Sequence, residues 1–223
     1  WVVRERLDWI RAFDDLLFPK ASICALCTDR FALPIGCCDT CFQSLAVHWR
    51  IEQIHGYGYG SLFSYQGFAR DLIHRMKYQN DYDSAVTLGR LLGLALREEP
   101  SFADVDCIIP IPLHPERQHK RGFNQSAVLA DNIIKQWKRP IFTSIVRVKN
   151  TVSQSGLDFR ARKANVRGAF AVLPGTNLQR KKCLIVDDVI TSGWTFQSAA
   201  QLIEGYGGTP VGVFLARAEK DYS

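Results

Sequence analysis

Apolar positions along this chain of 223 residues follow two spacings, and the alternation between them predicts its elements. Val3, Leu7, Ile10, Phe13 and Leu17 recur at helical spacing, as do Ala69, Leu72, Ile73 and Met76. The same spacing returns in Leu88, Leu91, Leu92 and Ala95, in Leu129, Ile133 and Trp137, and in Phe196, Ala199, Ala200 and Ile203. Ser84 is placed to cap the helix that carries Leu88, and Pro100 to end it. Between these segments lie short apolar runs at 105–109, 141–148, 169–173, 183–186 and 211–216, each the length of a buried strand. The glycine and aromatic alternation at 56–65 predicts a hairpin or short strand.

One run is set apart by the residues after it. Positions 183–186 read CLIV; Asp187 and Asp188 come next, then a hydroxyl-rich turn with Thr191, Ser192, Gly193 and Thr195 before the last helix. Strand, loop and helix in this order gather backbone N–H groups where the helix dipole favours an anion, and hydroxyls add donors. No Lys follows the glycine as in the phosphate-binding loop of nucleoside triphosphatases, and the GxGxxG of a dinucleotide fold is absent. Two acids at the carboxyl end of a strand can accept hydrogen bonds from the hydroxyls of a sugar while the loop holds its phosphate. The expected ligand is a ribose 5-phosphate moiety.

Charge supports an anionic ligand without singling one out: Lys and Arg number 28 against 22 acids, a net charge of +6. The three prolines at 110–115 cannot sit in a sheet interior, so the strand at 105–109 is expected to end in a stiff loop carrying Arg117, His119, Lys120 and Arg121. If both strands share one parallel sheet, this positive charge faces the acids, as a pyrophosphate requires. A second polar, basic stretch at 149–167, with Lys149 and Arg160, reads as a mobile loop. No stretch has the length and apolarity of a membrane span, and the charged segment 1–17 reads as an amphipathic helix rather than a signal peptide. A cytoplasmic protein is expected.

Five of the seven cysteines fall between 24 and 41. Cys24 and Cys27, ten residues, then Cys38 and Cys41 make two CxxC knuckles at a spacing in or near that of zinc ribbons. Four protein thiolates close the coordination sphere, so the zinc would serve folding. Cys37 competes with Cys38, but only Cys38 keeps the spacing to Cys41. His48 is read as a surface residue, and Cys107 and Cys183 as small apolar residues of strands.

The stretch 183–195 resembles the 5-phosphoribosyl-1-pyrophosphate (PRPP) motif of type I phosphoribosyltransferases. Taken with the knuckles, LIHRMKY at 72–78, IPIPL at 109–113, RGFNQ at 121–125, and QSGL at 154–157 with Arg160 and Asn165, nearly the whole chain resembles the ComF family of competence-associated proteins. The resemblance implies an α/β protein of the type I phosphoribosyltransferase fold, a central parallel sheet flanked by helices, with a small four-cysteine zinc-finger module. The expected organisation is an N-terminal helix over 1–20, the zinc module over 21–50 and the phosphoribosyltransferase-like domain over 51–223.

By the same resemblance, Asp187 and Asp188 contact the ribose hydroxyls, directly or through Mg, and Thr191, Ser192, Gly193 and Thr195 bind the 5-phosphate. Arg117, Lys120 and Arg121 lie by the pyrophosphate, and Lys149 and Arg160 belong to a loop closing over the site. Single-stranded DNA is an implied partner; a separate reading has the zinc module docking a protein partner such as a DNA-uptake helicase. Trp194 departs from the family pattern, which has a small residue there, and would point outward, stack on a ligand or crowd the pocket. Two functions of different class remain open: an enzyme displacing pyrophosphate from PRPP, and a DNA-uptake protein that binds PRPP.

Overall fold

The computed structural model describes residues 23–149 and 168–218. The helix expected over 1–20 and most of the loop expected at 149–167, Arg160 included, lie outside the described residues, as does the side chain of Lys120.

Five strands form the main sheet in the order β1-β2-β7-β6-β3. β1 (Arg50–Ile54) and β2 (Tyr57–Ser64) are an antiparallel hairpin; β2, β7 (Thr209–Arg217), β6 (Lys182–Ile190) and β3 (Cys107–Pro110) are parallel. The alternation at 56–65 is therefore half of a hairpin whose turn is His55 and Gly56, both at positive φ, as a two-residue turn between twisted strands requires. The sheet is mixed, an antiparallel edge on a parallel centre. A smaller antiparallel ribbon pairs β4 (Ile145–Arg147) with β5 (Phe170–Val172), so only part of the apolar run 141–148 is strand.

The unbroken CLIV run is explained by burial on both faces. Leu184 and Val186 belong to one apolar cluster, with the cysteine module, Leu62, Met76, Leu88 and Leu129; Cys183 and Ile185 belong to the other, with Phe196, Ala200 and Ile203. The first face is covered by α2 (Gly67–Tyr78), α3 (Tyr82–Glu98) and α5 (Gln125–Gln136), the second by α6 (Trp194–Gly205). α3 and α5 approach so closely that a Cβ on Gly93 would lie 2.8 Å from the Ile133 carbonyl oxygen.

Three local expectations change. Asp81 rather than Ser84 caps α3: its carboxylate accepts from the Ser84 N–H at 3.0 Å and from the Ser84 hydroxyl at 2.7 Å. A carboxylate at the N-cap faces the free N–H groups of the first turn, which a hydroxyl inside that turn does not. The stiff loop after β3 spans only 111–114, and the basic residues expected on it lie on a short helix, α4 (Pro115–Arg121), because proline at the first helical position loses no hydrogen bond. β6 does not end on its acids but runs through them to Ile190, held on one side by β7. On the other side β3 stops at Pro110 opposite Val186, one residue before the acids.

Candidate functional site

That early stop makes the site. Past Val186 the β3 edge of β6 is released, and Asp187 and Asp188 open into a cavity of about 280 Å³ at the carboxyl end of the parallel strands. Thr191 lines it from the turn and Thr195 from the start of α6, Arg117 and Arg121 from α4, Lys77 and Tyr78 from the end of α2, Ser126 from α5 and Arg147 from β4. Four of the residues expected to bind PRPP and two of the expected basic residues thus share one cavity.

The others are placed differently. Gly193 is the N-cap of α6 at φ +75°, a conformation that favours glycine, and a Cβ there would press on Ile54 Cδ1 at 2.6 Å. Having no side chain, it leaves the first turn of α6 without a side-chain cap. Ser192 is buried beside it, and its hydroxyl has no hydrogen-bond partner among the described residues. The residues that face the cavity here are Thr191 and Thr195, around the start of α6, where the helix dipole favours an anion. Lys149 is exposed and does not line the cavity.

Trp194 neither points outward nor lines the cavity. It is 7% exposed and stacks on His55 with ring centroids 3.9 Å apart and 20° between planes. The His55 Nε2 lies 2.8 Å from the Ser192 carbonyl oxygen. A large residue here is accommodated because the β1–β2 turn provides a stacking partner away from the cavity; it fastens the turn to the sheet edge.

The acids are held by residues that pattern alone did not mark. Asp187 accepts the Ser126 hydroxyl at 2.6 Å and the Asp188 N–H at 2.9 Å. Burial, then the neighbouring charge of Asp188, lift Asp187 to about 6 against these bonds and the pull of Lys77. Lys77 Nζ sits 2.9 Å from Asp188 Oδ1. Burial opposes the ammonium, but the charge and hydrogen bond of Asp188 outweigh it and hold Lys77 above the ordinary lysine range. Opposite, burial lowers Arg147 to about 10, with the charge of Arg117 adding to the effect. Arg117 is itself lowered by burial and by Arg121. Cations gathered against their own repulsion make a wall suited to a polyanion.

Within RGFNQ, Arg121 lines the cavity while Asn124 and Gln125 brace it. Asn124 caps α5 through the Ser126 N–H and donates to the Ile111 carbonyl at 3.0 Å; Gln125 donates to the Met76 carbonyl at 3.1 Å and accepts from Arg121 at 3.3 Å. The motif ties the ends of α2, β3 and α4 around the acids. Two signals of the missed residues were present in the sequence, a lysine following the buried face of α2 and an arginine inside an apolar strand.

A second site lies in the cysteine module. The thiols of Cys24, Cys27, Cys38 and Cys41 all lie within 4.8 Å of one another, a group that could hold a metal ion. Cys27 Sγ and Cys38 Sγ are 3.9 Å apart, against about 3.8 Å for the edge of a tetrahedron with zinc–sulfur bonds of about 2.3 Å. Cys37 is buried but outside this group, with burial pushing its thiol up to about 11. Cys38 is the N-cap of α1 (Asp39–Ser44), which carries Cys41 one turn later, and the Cys38 N–H donates to Cys24 Sγ at 3.3 Å. Burial opposes the Cys24 thiolate, yet backbone N–H groups of Cys27, Cys38 and Leu26 outweigh it and bring the thiol down to about 6.

No family model matches the chain. Among curated proteins, Competence protein F of Haemophilus influenzae is 37% identical over 153 residues, 66% of this chain and 67% of that protein. DNA utilization protein YhgH of Salmonella typhimurium is 32% identical over 201 residues, 87% of this chain and 83% of that protein. Among solved structures, adenine phosphoribosyltransferase from Thermoanaerobacter pseudethanolicus gives a TM-score of 0.41 at 17% identity, covering 63% of this chain and 72% of that one. Similarity that spans most of both chains, with the knuckles and the acid-pair turn in their expected order, makes this chain a member of the ComF family.

Proposed function

We propose that this chain is a PRPP-binding, phosphoribosyltransferase-like protein of the natural-transformation machinery. The observation that carries the reading is convergence on one cavity: an acid pair, an uncapped helix start with hydroxyls, and a wall of guanidinium groups. Asp187 and Asp188 receive the ribose hydroxyls, the turn from Thr191 to Thr195 the 5-phosphate, and Arg117, Arg121 and Arg147 the pyrophosphate, with Lys120, Lys149 and Arg160 as further basic contacts. Carboxylate oxygens are the donor type Mg takes, and the remaining oxygens of the acid pair, with those of PRPP, would hold it. When bound, Mg supplies counter-charge to the pyrophosphate.

Zinc is the metal we assign to Cys24, Cys27, Cys38 and Cys41, since four thiolates close a tetrahedral site with a structural role. The residue ranges 1–20, 21–50 and 51–223 stand as the proposed organisation, and the cytoplasm as the proposed location. No described helix is long and apolar enough to cross a membrane. The names of the relatives, a competence protein and a DNA utilization protein, support a role in DNA uptake; single-stranded DNA is the proposed partner of the basic surface, and a DNA-uptake helicase that of the zinc module.

The test is calorimetry with PRPP and Mg on the wild type and on Asp187→Asn/Asp188→Asn. Binding by the variant is expected to be at least about a hundredfold weaker, because hydrogen bonds to both charged acceptors are lost. Equal affinity would remove the site assignment. DNA affinity should fall steeply with salt.

The guanidinium wall also favours a second reading, an active phosphoribosyltransferase of nucleotide metabolism. A nucleophile would form the bond to C1 of PRPP while the C1–oxygen bond breaks and its electron pair leaves with pyrophosphate, stabilised by Arg117, Arg121 and Arg147. Pyrophosphate release with a panel of bases and amines tests it; binding without turnover across the panel counts against it.

A further inference from the structure

The acid pair comes with its own cation. Lys77 is the penultimate residue of α2, and its ammonium meets Asp188 Oδ1 at 2.9 Å with the two side chains 19% and 8% exposed. Its placement is fixed from several directions. Ala69, Leu72, Ile73 and Met76 bury the other face of α2, Gln125 holds the Met76 carbonyl, and Arg75 is paired with Asp81 at 2.5 Å. The lysine is delivered to the acids as part of a rigid element.

The polar inventory around the pair is then nearly complete on one side. Asp188 Oδ1 is matched by the ammonium, and Asp187 Oδ1 by the Ser126 hydroxyl and the Asp188 N–H. A divalent ion taken by the remaining oxygens of the pair would stand beside a fixed positive charge, so ammonium and cation share the counter-charge that a ligand phosphate needs. An ammonium has three N–H donors, of which Asp188 takes one, and Lys77 lines the cavity.

On the reading of this cavity as a phosphoribosyl site, we propose that Lys77 is a ligand-contacting residue: its ammonium and Asp188 together hold the ribose hydroxyls and a neighbouring phosphoryl oxygen. Part of the affinity for a ribosyl phosphate therefore depends on Lys77 and not on a divalent cation. The arrangement assigns recognition of the sugar to an ion pair between α2 and β6.

The experiment is calorimetry with PRPP and with ribose 5-phosphate, in EDTA and in Mg, on the wild type, Lys77→Arg and Lys77→Gln. The wild type is expected to bind both ligands in EDTA, with PRPP within about tenfold of its affinity in Mg, and Lys77→Gln to lose at least about tenfold in EDTA while Lys77→Arg retains most of the binding. If Lys77→Gln does not fold, Lys77→Met/Asp188→Asn removes both members of the ion pair and reads the same loss against Asp188→Asn alone. Wild-type binding that requires Mg, or equal affinity of wild type and Lys77→Gln in EDTA, overturns the proposal and leaves the PRPP site standing. Absence of PRPP binding under both conditions overturns the site itself.

Discussion

The two candidate sites of this molecule are built in opposite ways. The cysteine group comes from one continuous stretch, Cys24 to Cys41, in which a tight turn and the first turn of α1 bring four thiols together. The cavity around Asp187 and Asp188 draws on α2, the loop after β3, α4, α5, β4, β6 and α6, and brings together residues such as Lys77 and Asp188 that are 111 positions apart. A local site is dictated by spacing, because the chain between ligands is too short to do anything else. A composite site is dictated by where strands stop and helices point, which depends on the packing of the whole sheet.

The two regions nonetheless meet on one helix turn. Arg75 donates to the Leu26 carbonyl of the cysteine module at 2.7 Å, while Lys77 reaches Asp188. The buried Ser84 hydroxyl adds a contact to the Ala25 carbonyl at 3.3 Å. Residues of the module share the apolar cluster of Leu62, Met76 and Leu88, so the module forms part of the core that positions α2.

The largest effect is expected from the metal. Structural zinc supplies about 10 kcal/mol or more of folding energy, so Cys41→Ala or a strong chelator should lower the melting temperature by at least about 10 °C. Cys37→Ser should keep one metal per chain by elemental analysis, and loss of metal in that variant would overturn the choice of Cys38. Next comes the ion pair: Lys77→Met leaves Asp188 buried and alone, at a cost of about 3–5 kcal/mol in denaturant unfolding. Adding Asp188→Asn should recover most of it, and a single variant as stable as wild type would show that the pair is not a buried counterion.

Asp187 should act with the opposite sign. Its folded pKa, about 6, is raised from 3.8, so its contribution to stability is full below about pH 4 and is lost as pH rises through 6. Asp187→Asn is therefore expected to flatten the stability profile over this range and to stabilise the protein at pH 7 by up to about 3 kcal/mol, while abolishing PRPP binding. A variant less stable than wild type at pH 7 would contradict this. Smallest is Arg75→Met, expected to cost about 2 kcal/mol. Its value lies in the readout: faster metal loss to a chelator and weaker PRPP binding in the same variant would show the sites coupled through α2, and a change in one alone would show them separate.

Much of the fold is legible in the order of residues. The helical faces of α2, α3, α5 and α6 lie where apolar spacing puts them, and the strands at 105–109, 183–186 and 211–216 are present within a few residues. The failures have physical causes. Proline reads as a breaker where it in fact starts α4, because its effect depends on which end of a helix it occupies. Trp194 resists assignment because its partner, His55, is 139 positions away in another element.

What the sequence determined by itself is therefore what short-range chemistry fixes: the type of most elements, the grouping of the thiols, and an acid pair beside an anion-binding turn. What only the tertiary structure decided is the company those acids keep. Pro110 ends β3 opposite Val186, α2 ends with Lys77 directed at Asp188, and Ser126 and Arg147 close the cavity. No spacing rule encodes these partners, because each is placed by a separate element and they meet only when burial on both faces of β6 packs those elements around one sheet.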